Sequence, residues 1–506
     1  MTATTDKGGF SIGVGCPGCG GELELQENFF VLSCPHCGSC LRVVMPDVPA
    51  AFLVKGKLSQ SEIRFHIDRF LKERHLPLTG SGLQVKNLYY PYWKIDGVQV
   101  RVRNRLERRE VREATEYSDG QYVEQQLSDI GIAPFNVTVA AGARLDGVPV
   151  SIGLRAEYIK MFPYADEEIE ESFDSLPVAR SSDDALVNVA SKFAAAGEAG
   201  FNTVGINKTE LFDPVFSIIY FPYHVAESCD NHRYNRYVLD GVSGRVLHHT
   251  HPLHEKKLHD GHRPDIGFES QLQAEGFGWT DTLPGMVPDE TRHEGDEETK
   301  PSEVQSLEFG ALGVEFHRCP TCGEDLPDRQ SHMYICRNCH EMVLLERSLV
   351  PVRGIARTAF DDRRGDKLFP FWSFTITEET GAPIKRLFAG IFGSDRIIIP
   401  AFRMPNFEAT YRLARRISTA APKLEFVPVE DVDSRFVPVD VGPNGALTTA
   451  HVVVYREMLS RDQNSSPEDV AFSPGEASLV YASFHPESYF YVDSILGAVT
   501  FEKSLV

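Results

Sequence analysis

Residues 16–37 read CPGCGGELELQENFFVLSCPHC, and residues 319–339 read CPTCGEDLPDRQSHMYICRNC. Each stretch carries two Cys-x-x-Cys pairs, Cys16/Cys19 with Cys34/Cys37 and Cys319/Cys322 with Cys336/Cys339, separated by 14 and 13 residues. That separation is the reach of one hairpin returning on itself, so four thiols meet at one point. Borderline-soft zinc favours thiolate, each Cys-x-x-Cys turn aims two sulfurs inward, and four protein ligands leave no position for water. Small or polar residues follow each first pair (Gly20, Gly21; Gly323, Glu324), while 28–32 and 333–335 have strand character. The pattern predicts two structural Zn²⁺ sites, each in a four-cysteine zinc ribbon. The competing assignments are disulfides, a redox pair and an iron–sulfur cluster. With no secretory apolar region at the N-terminus, an oxidising compartment is not expected, and reduced thiols favour metal. Cys40 and Cys229 fall outside both sets and read as inert thiols.

Working outward, 506 residues exceed one core, so two to four domains are expected. With 51 basic and 72 acidic residues the formal charge is -21, a balance that repels phosphate backbones at long range and disfavours general nucleic-acid affinity. No apolar run has the length of a spanning helix; the strongest, 216–223, has strand length. A cytoplasmic location is the expectation.

Further segments recur in the same order. Cys16 and Cys319 stand 303 apart, and Cys34 and Cys336 stand 302 apart. YYPYW (89–93) matches LFPFW (368–372) at 279, which aligns Pro91 with Pro370 and Trp93 with Trp372. LPV (176–178) matches VPV (437–439) at 261, and Tyr220/Tyr481, Tyr223/Phe484 and His224/His485 keep that offset. Asp240/Asp493 and Gly244/Gly497 close the series at 253. The drop from 302 to 279 implies that the second copy lacks about 23 residues between its ribbon and its FPFW strand. In the first copy that interval holds a capping box, Ser59-x-x-Glu62, followed by Ile63, Ile67, Phe70 and Leu71 at helical spacing. Helices are also predicted over 184–196, capped by Ser181 or Ser182, and over 447–459. Strands are predicted over 99–105, 136–140, 148–154, 216–223, 237–247, 396–400, 478–484 and 489–501.

The fold class is therefore α+β and strand-rich, a tandem duplication of a four-cysteine zinc ribbon followed by a mixed α/β sheet domain. The expected units are zinc ribbon 1 (10–45), a first sheet domain (46–255), an acidic, His-containing linker (256–312), zinc ribbon 2 (313–350) and a second sheet domain (351–506).

Four other groups of residues invite a functional assignment, and each has a plainer one. His248, His249, His251, His254, His259 and His262 have the composition of an accessory metal tract, but Pro252 interrupts them and no helical i, i+4 pair with a carboxylate stands nearby. A polar linker entrance is the preferred assignment. The aromatic strands around Pro91, Tyr220 and Pro370 offer a groove for a peptide or for stacked bases; core packing on an edge strand that tolerates the proline is preferred. His224 with Asp240 and His485 with Asp493 are duplicated acid–base types without a nucleophile common to both. The Asp suits its turn and the His a satisfied strand position. Arg101, Arg103, Arg105, Arg108, Arg109 and Arg112 form the densest basic run, interleaved with Glu107, Glu110 and Glu113, which favours an ion-paired ladder over a phosphate-binding face. Phosphate loops, dinucleotide fingerprints, nucleophile elbows and His-Glu-x-x-His motifs are absent from the sequence, so no catalytic residue is assigned and the chain is not expected to be an enzyme.

The order ribbon, capped helix, YYPYW and then Asp96-Gly97 resembles a family of bacterial zinc-ribbon proteins labelled TFIIB-type ribbon or primosomal-protein-like. The match covers 16–97 and, more loosely, the second ribbon through Trp372. Several members of that family carry C-terminal membrane helices and are thought to act beside stomatin-like scaffolds, whereas this chain has no such apolar run. What the resemblance implies is an adaptor. The expectation is thus a non-enzymatic zinc scaffold that binds protein partners, with a membrane-associated scaffold among the candidates. The alternative is a nucleic-acid-binding accessory factor that uses the ribbons and the Arg-rich strand.

Overall fold

The computed structural model describes residues 11–26, 30–78, 82–112, 121–153, 159–164, 172–198, 207–230, 233–250, 308–346, 348–352, 354–358, 366–377, 380–404, 406–428, 435–459, 461, 472, 474–495 and 499–503. It is strand-rich, with two large sheets and two three-stranded ones among these residues. Each large sheet is built on a long antiparallel pair. In the first half Gln84–Arg112 pairs with Asn207–Asp230, and in the second Lys367–Ile376 pairs with Pro474–Glu487. A short strand runs parallel to the second member of each pair, Ala50–Leu53 in one half and Gly354–Thr358 in the other.

The two halves share hydrogen bonds in the register read from the sequence. Tyr220 sits opposite Pro91 and Tyr481 opposite Pro370; Tyr223 sits opposite Asp240 and Phe484 opposite Asp493. Leu176 N donates to Tyr89 O and Val437 N to Leu368 O, both at 2.9 Å. Trp93 Nε1 donates to Arg180 O, and Trp372 Nε1 to Val441 O, both at 2.8 Å.

The prolines do not mark edge strands, and here the sequence expectation is corrected. Gln84–Arg112 lies between Asn207–Asp230 on one side and Gln121–Ala140 with Phe173–Ser175 on the other. Pro91 O accepts from Ala141 N at 2.9 Å, while Ala141 O accepts from the amides of Ala179 and Arg180. A strand residue's N–H and C=O point to the same side, so the donor that proline lacks would have faced Ala141 O. Two loop amides satisfy that carbonyl instead. Pro370 repeats the device: Ala401 N donates to Pro370 O at 3.0 Å, and Ala401 O accepts from Asp440 and Val441. Proline is tolerated in an interior strand because the ladder changes partner there.

The aromatic residues flanking both prolines are core. Tyr89, Tyr90, Tyr92, Trp93, Phe221, Tyr223, Phe369, Phe371 and Trp372 are all buried, which rules out an open groove along these strands. Burial of each such ring contributes about 1.5–3 kcal/mol relative to exposure. Tyr92 and Tyr223 bond through their hydroxyls at 2.8 Å; the matching positions of the second half, Phe371 and Phe484, are apolar and stack.

The helix Gln60–Glu73 carries the predicted capping box. Ser59 N donates to Glu62 Oε2 at 2.8 Å and Glu62 N to Ser59 Oγ at 3.4 Å, and Ile63, Ile67 and Leu71 are buried. Ser182–Glu198 and Pro443–Leu459 form the other two predicted helices, with Ser181 Oγ accepting from Asp184 N. Two helices were not anticipated: Ala382–Ile391, and Phe407–Ala420, which Asn406 caps. The strand expected over 148–154 is absent over its described residues, 148–153. That segment instead crosses the end of Gln121–Ala140, joined by Ala140 N to Val150 O and by Thr138 to Ser151 and Ile152.

The halves pack on each other. Val100, Val102 and Phe212 of the first enter the core of the second, where the Phe212 ring lies 5.5 Å from that of Tyr455. Beside them Asp213 lies 3.7 Å from the His451 ring, and that neighbour holds the carboxyl below its usual range. Phe309 and Leu312, which the sequence analysis places in the linker, pack into the first half's core.

Candidate metal centres

All four Cys-x-x-Cys turns close in the same way. Cys16 N donates to Gly21 O, Cys34 N to Ser39 O, Cys319 N to Glu324 O and Cys336 N to Glu341 O, at 2.8–2.9 Å. The fifth residue of each turn returns a bond to the first Cys carbonyl, and this requires a left-handed backbone: φ is +71° at Gly20, +76° at Gly38, +77° at Gly323 and +57° at His340. Three of the four are glycine, as the conformation favours. Short antiparallel strands hold three of the turns: Ser11–Gly15 with Glu22–Gln26, Val31–Ser33 with Cys40–Val44, and Met333–Ile335 with Met342–Leu345. The fourth is flanked by a single bridge, Arg318 to Asp325.

These turns bring the eight predicted sulfurs into two groups, Cys16, Cys19, Cys34, Cys37 and Cys319, Cys322, Cys336, Cys339, each with all sulfurs within 4.8 Å of one another. Cys16 to Cys37 is 3.7 Å, Cys19 to Cys34 3.8 Å, Cys319 to Cys339 3.6 Å and Cys322 to Cys336 3.4 Å. Four sulfurs at ~2.3 Å from one tetrahedral ion stand ~3.8 Å apart. A disulfide needs ~2.04 Å, and a multi-iron cluster spreads sulfurs of different irons beyond one ion's sphere. Each group can hold one metal ion.

The electrostatics agree. In the first group the Ser39 hydroxyl and amide pull Cys37 down to about 6, whereas Cys19, although the Gly21 N–H favours its thiolate, is pushed up to about 12 by desolvation and the other three sulfurs. In the second, the Glu324 amide leads the effects that bring Cys322 down to about 6, while Cys339, despite the Glu341 amide, is driven up to about 12 by desolvation and its sulfur neighbours. Four thiolates in so small a volume repel unless a cation sits among them.

The first ribbon is also docked on the first large sheet. Ser11 and Ile12 pair in parallel with Lys160 and Met161, and Lys160 Nζ lies 2.7 and 2.8 Å from carboxylate oxygens of Glu22 and Glu24. A side chain on Gly13 would begin 2.7 Å from the Phe162 ring. The apolar faces of the two ribbons meet. Val31 and Cys40 share a core with Cys319, Leu326, Tyr334, Cys336, Val343 and Leu345. Sequence reasoning missed Gln330 in this contact: its Oε1 accepts from Phe30 N at 3.0 Å, and its Nε2 donates to Val31 O. No local sequence signal marks a glutamine that reaches 299 positions back.

The structure places some of the remaining candidates. Cys40 is buried, and burial followed by Asp328 and Asp325 raises its thiol to about 11, so it stays neutral. The Cys229 side chain and the side chains of Arg103, Arg105, Arg108, Arg109 and Arg112 lie outside the described residues; Arg101 Nη2 donates to Gln99 Oε1 at 3.1 Å. Of the histidine tract, His248 and His249 lie on the strand Val246–Thr250, where His249 stacks flat on Tyr237 at 4.8 Å; the other four lie outside the described residues. His224 pairs with Asn87 (Nδ1 to Oδ1, 2.8 Å), and Asp240 accepts from the amides of Val242 and Ser243 within its turn. His485 pairs with buried Asp366, which also accepts from Ser483 Oγ, and Asp493 binds Arg416. The histidines thus hydrogen-bond Asn87 and Asp366 rather than the aspartates suggested by the sequence. Among the described residues no helix is long and apolar enough to cross a membrane. Comparison of the chain with known protein families, with curated sequences and with solved structures returned no match.

Proposed function

We propose that this chain is a non-enzymatic zinc-dependent scaffold, a tandem duplication in which each four-cysteine zinc pins a ribbon too small to stay folded by its own core. The observation that carries this is the closure of both sulfur groups. Four cysteines at tetrahedral spacing saturate an ion, leave no site for substrate or activated water, and turn binding energy into folding energy. Thiolate-only ligation favours zinc over harder divalent ions. The hydrogen bonds shared between the halves support a duplication, and the ribbon–helix–YYPYW order supports kinship with bacterial zinc-ribbon adaptors of the TFIIB-type or primosomal-protein-like label. The scaffold is cytoplasmic and binds protein partners. Because the apolar ribbon faces cover each other, the surfaces offered to partners among the described residues are the exposed zinc turns and the sheet rims.

The test is quantitative affinity capture with the zinc-loaded and the metal-stripped full chain. Partners retained by the loaded chain and lost from the stripped one are expected. Equal recovery from both would remove the ribbons from partner binding.

A further inference from the structure

The two ribbons do not each complete their own sheet. Gly313–Phe316, which leads into Cys319, lies not beside the second ribbon's own strands but along Cys40–Val44 of the first, with Gly313 opposite Val44, Val314 opposite Val43, Glu315 opposite Arg42 and Phe316 opposite Leu41. Its apolar side chains reach the first metal centre. Val314 and Phe316 pack on the cluster of Cys16, Leu23, Cys34 and Leu41, and a side chain on Gly18, inside the first Cys-x-x-Cys turn, would begin 3.4 Å from the Phe316 ring. The contact is reciprocal. Val31 and Cys40 of the first ribbon pack on Cys319 and Cys336 of the second. Polar bonds hold the register: Arg42 to Glu315 at 2.7 Å, Ser33 Oγ to Asp328 at 2.8 Å, and Gln330 on the backbone of Phe30 and Val31.

We propose that the two sulfur groups are one cooperative metal-binding unit, in which loading either centre raises the affinity of the other. This rests on the zinc assignment above and goes beyond it. A metal can bind a ribbon only as tightly as the ribbon's folding allows, because the site does not exist in the unfolded chain. The first ribbon's sheet needs a strand anchored at Cys319, and the second ribbon's core needs Val31 and Cys40. Ordering one ribbon around its ion therefore removes part of the ordering cost of the other, and the coupling is equal in both directions.

The experiment is a zinc titration of the metal-stripped full chain followed by native mass spectrometry, counting chains with zero, one and two ions. Two equal, independent sites place about half the chains in the one-zinc state at mid-titration, and unequal independent sites place more there. For two sites of equal intrinsic affinity, a coupling of roughly 5- to 150-fold, the usual range for linked sites, holds that state to roughly 8–30%. A second chain, Glu315→Ala with Gln330→Ala, keeps all eight sulfurs and loses two of the ties between ribbons; its one-zinc fraction is expected to rise toward half. A one-zinc peak of half or more in the unmodified chain overturns the coupling and leaves the zinc assignment standing. A low peak that the double variant leaves unchanged overturns the role given to this interface, and a chain that takes up no zinc overturns both the coupling and the assignment beneath it.

Discussion

His224 tests whether the duplicated histidines are structural or acid–base groups. Its side chain is 1% exposed, and its Nδ1 lies 2.8 Å from Asn87 Oδ1. Asn87 uses its amide nitrogen to donate to Ser172 O, so its oxygen is the acceptor and His224 carries its proton on Nδ1. Burial pushes the imidazole from 6.5 down to about 4, against a smaller opposing pull from Asp240. A lowered folded value means that the unfolded chain binds the proton more readily. The stability tied to this group is full above the ordinary histidine range and is lost as pH falls through 6.5 toward 4. Between pH 7 and pH 5 the loss is about 2 kcal/mol. The assay is urea unfolding of the first sheet domain, followed by tryptophan fluorescence at both pH values, for the unmodified chain and for His224→Asn. Asparagine retains a short donor toward Asn87 but does not titrate, and other acid-sensitive groups are common to both proteins. The unmodified chain is expected to lose about 2 kcal/mol more than the variant on acidification. Equal losses, or an imidazole that titrates near 6.5 in the folded protein, would refute the assignment and reopen a functional role for His224.

Removing the helix cap by Ser59→Ala is expected to cost about 1 kcal/mol, read as a shift in the urea midpoint of the first sheet domain with an unchanged slope. Chelation is expected to open 11–44 and 313–345 to protease while the paired strands Gln84–Arg112 and Asn207–Asp230 stay protected, because their aromatic core contains no metal ligand; unchanged protease resistance after metal removal would contradict a structural role for the ion. Oligonucleotide binding is expected to be weak at moderate salt, given the charge of -21. Tight, salt-sensitive binding that disappears on replacement of Arg101, Arg103 and Arg105 would favour the nucleic-acid alternative.

Local chemistry made much of this fold legible in the sequence. The cysteine spacing located both sulfur groups, Ser59 and Glu62 marked a helix start, and the aromatic–proline strands aligned the two halves so that Tyr220 faces Pro91 as Tyr481 faces Pro370. The helix at Phe407–Ala420 had a readable signal, the cap Asn406 with Leu413 and Ile417 one turn apart, which three arginines and a preceding proline obscured. Ala382–Ile391 is short and contains Pro383 and Gly390, so its helical pattern is weak. The interior position of Pro91 was hidden because it depends on amides about 50 to 90 positions further along the chain. The union of the two ribbons was hidden for the same reason at greater range, since the strand that completes the first sheet begins at Gly313.

Metal content bears most directly on the account as a whole. Elemental mass spectrometry of the purified full chain, with X-ray absorption at the zinc edge, should return two zinc ions per chain, each in an all-sulfur shell at ~2.3 Å. Iron in their place, a shell containing oxygen or nitrogen, or a folded chain with no metal would contradict it.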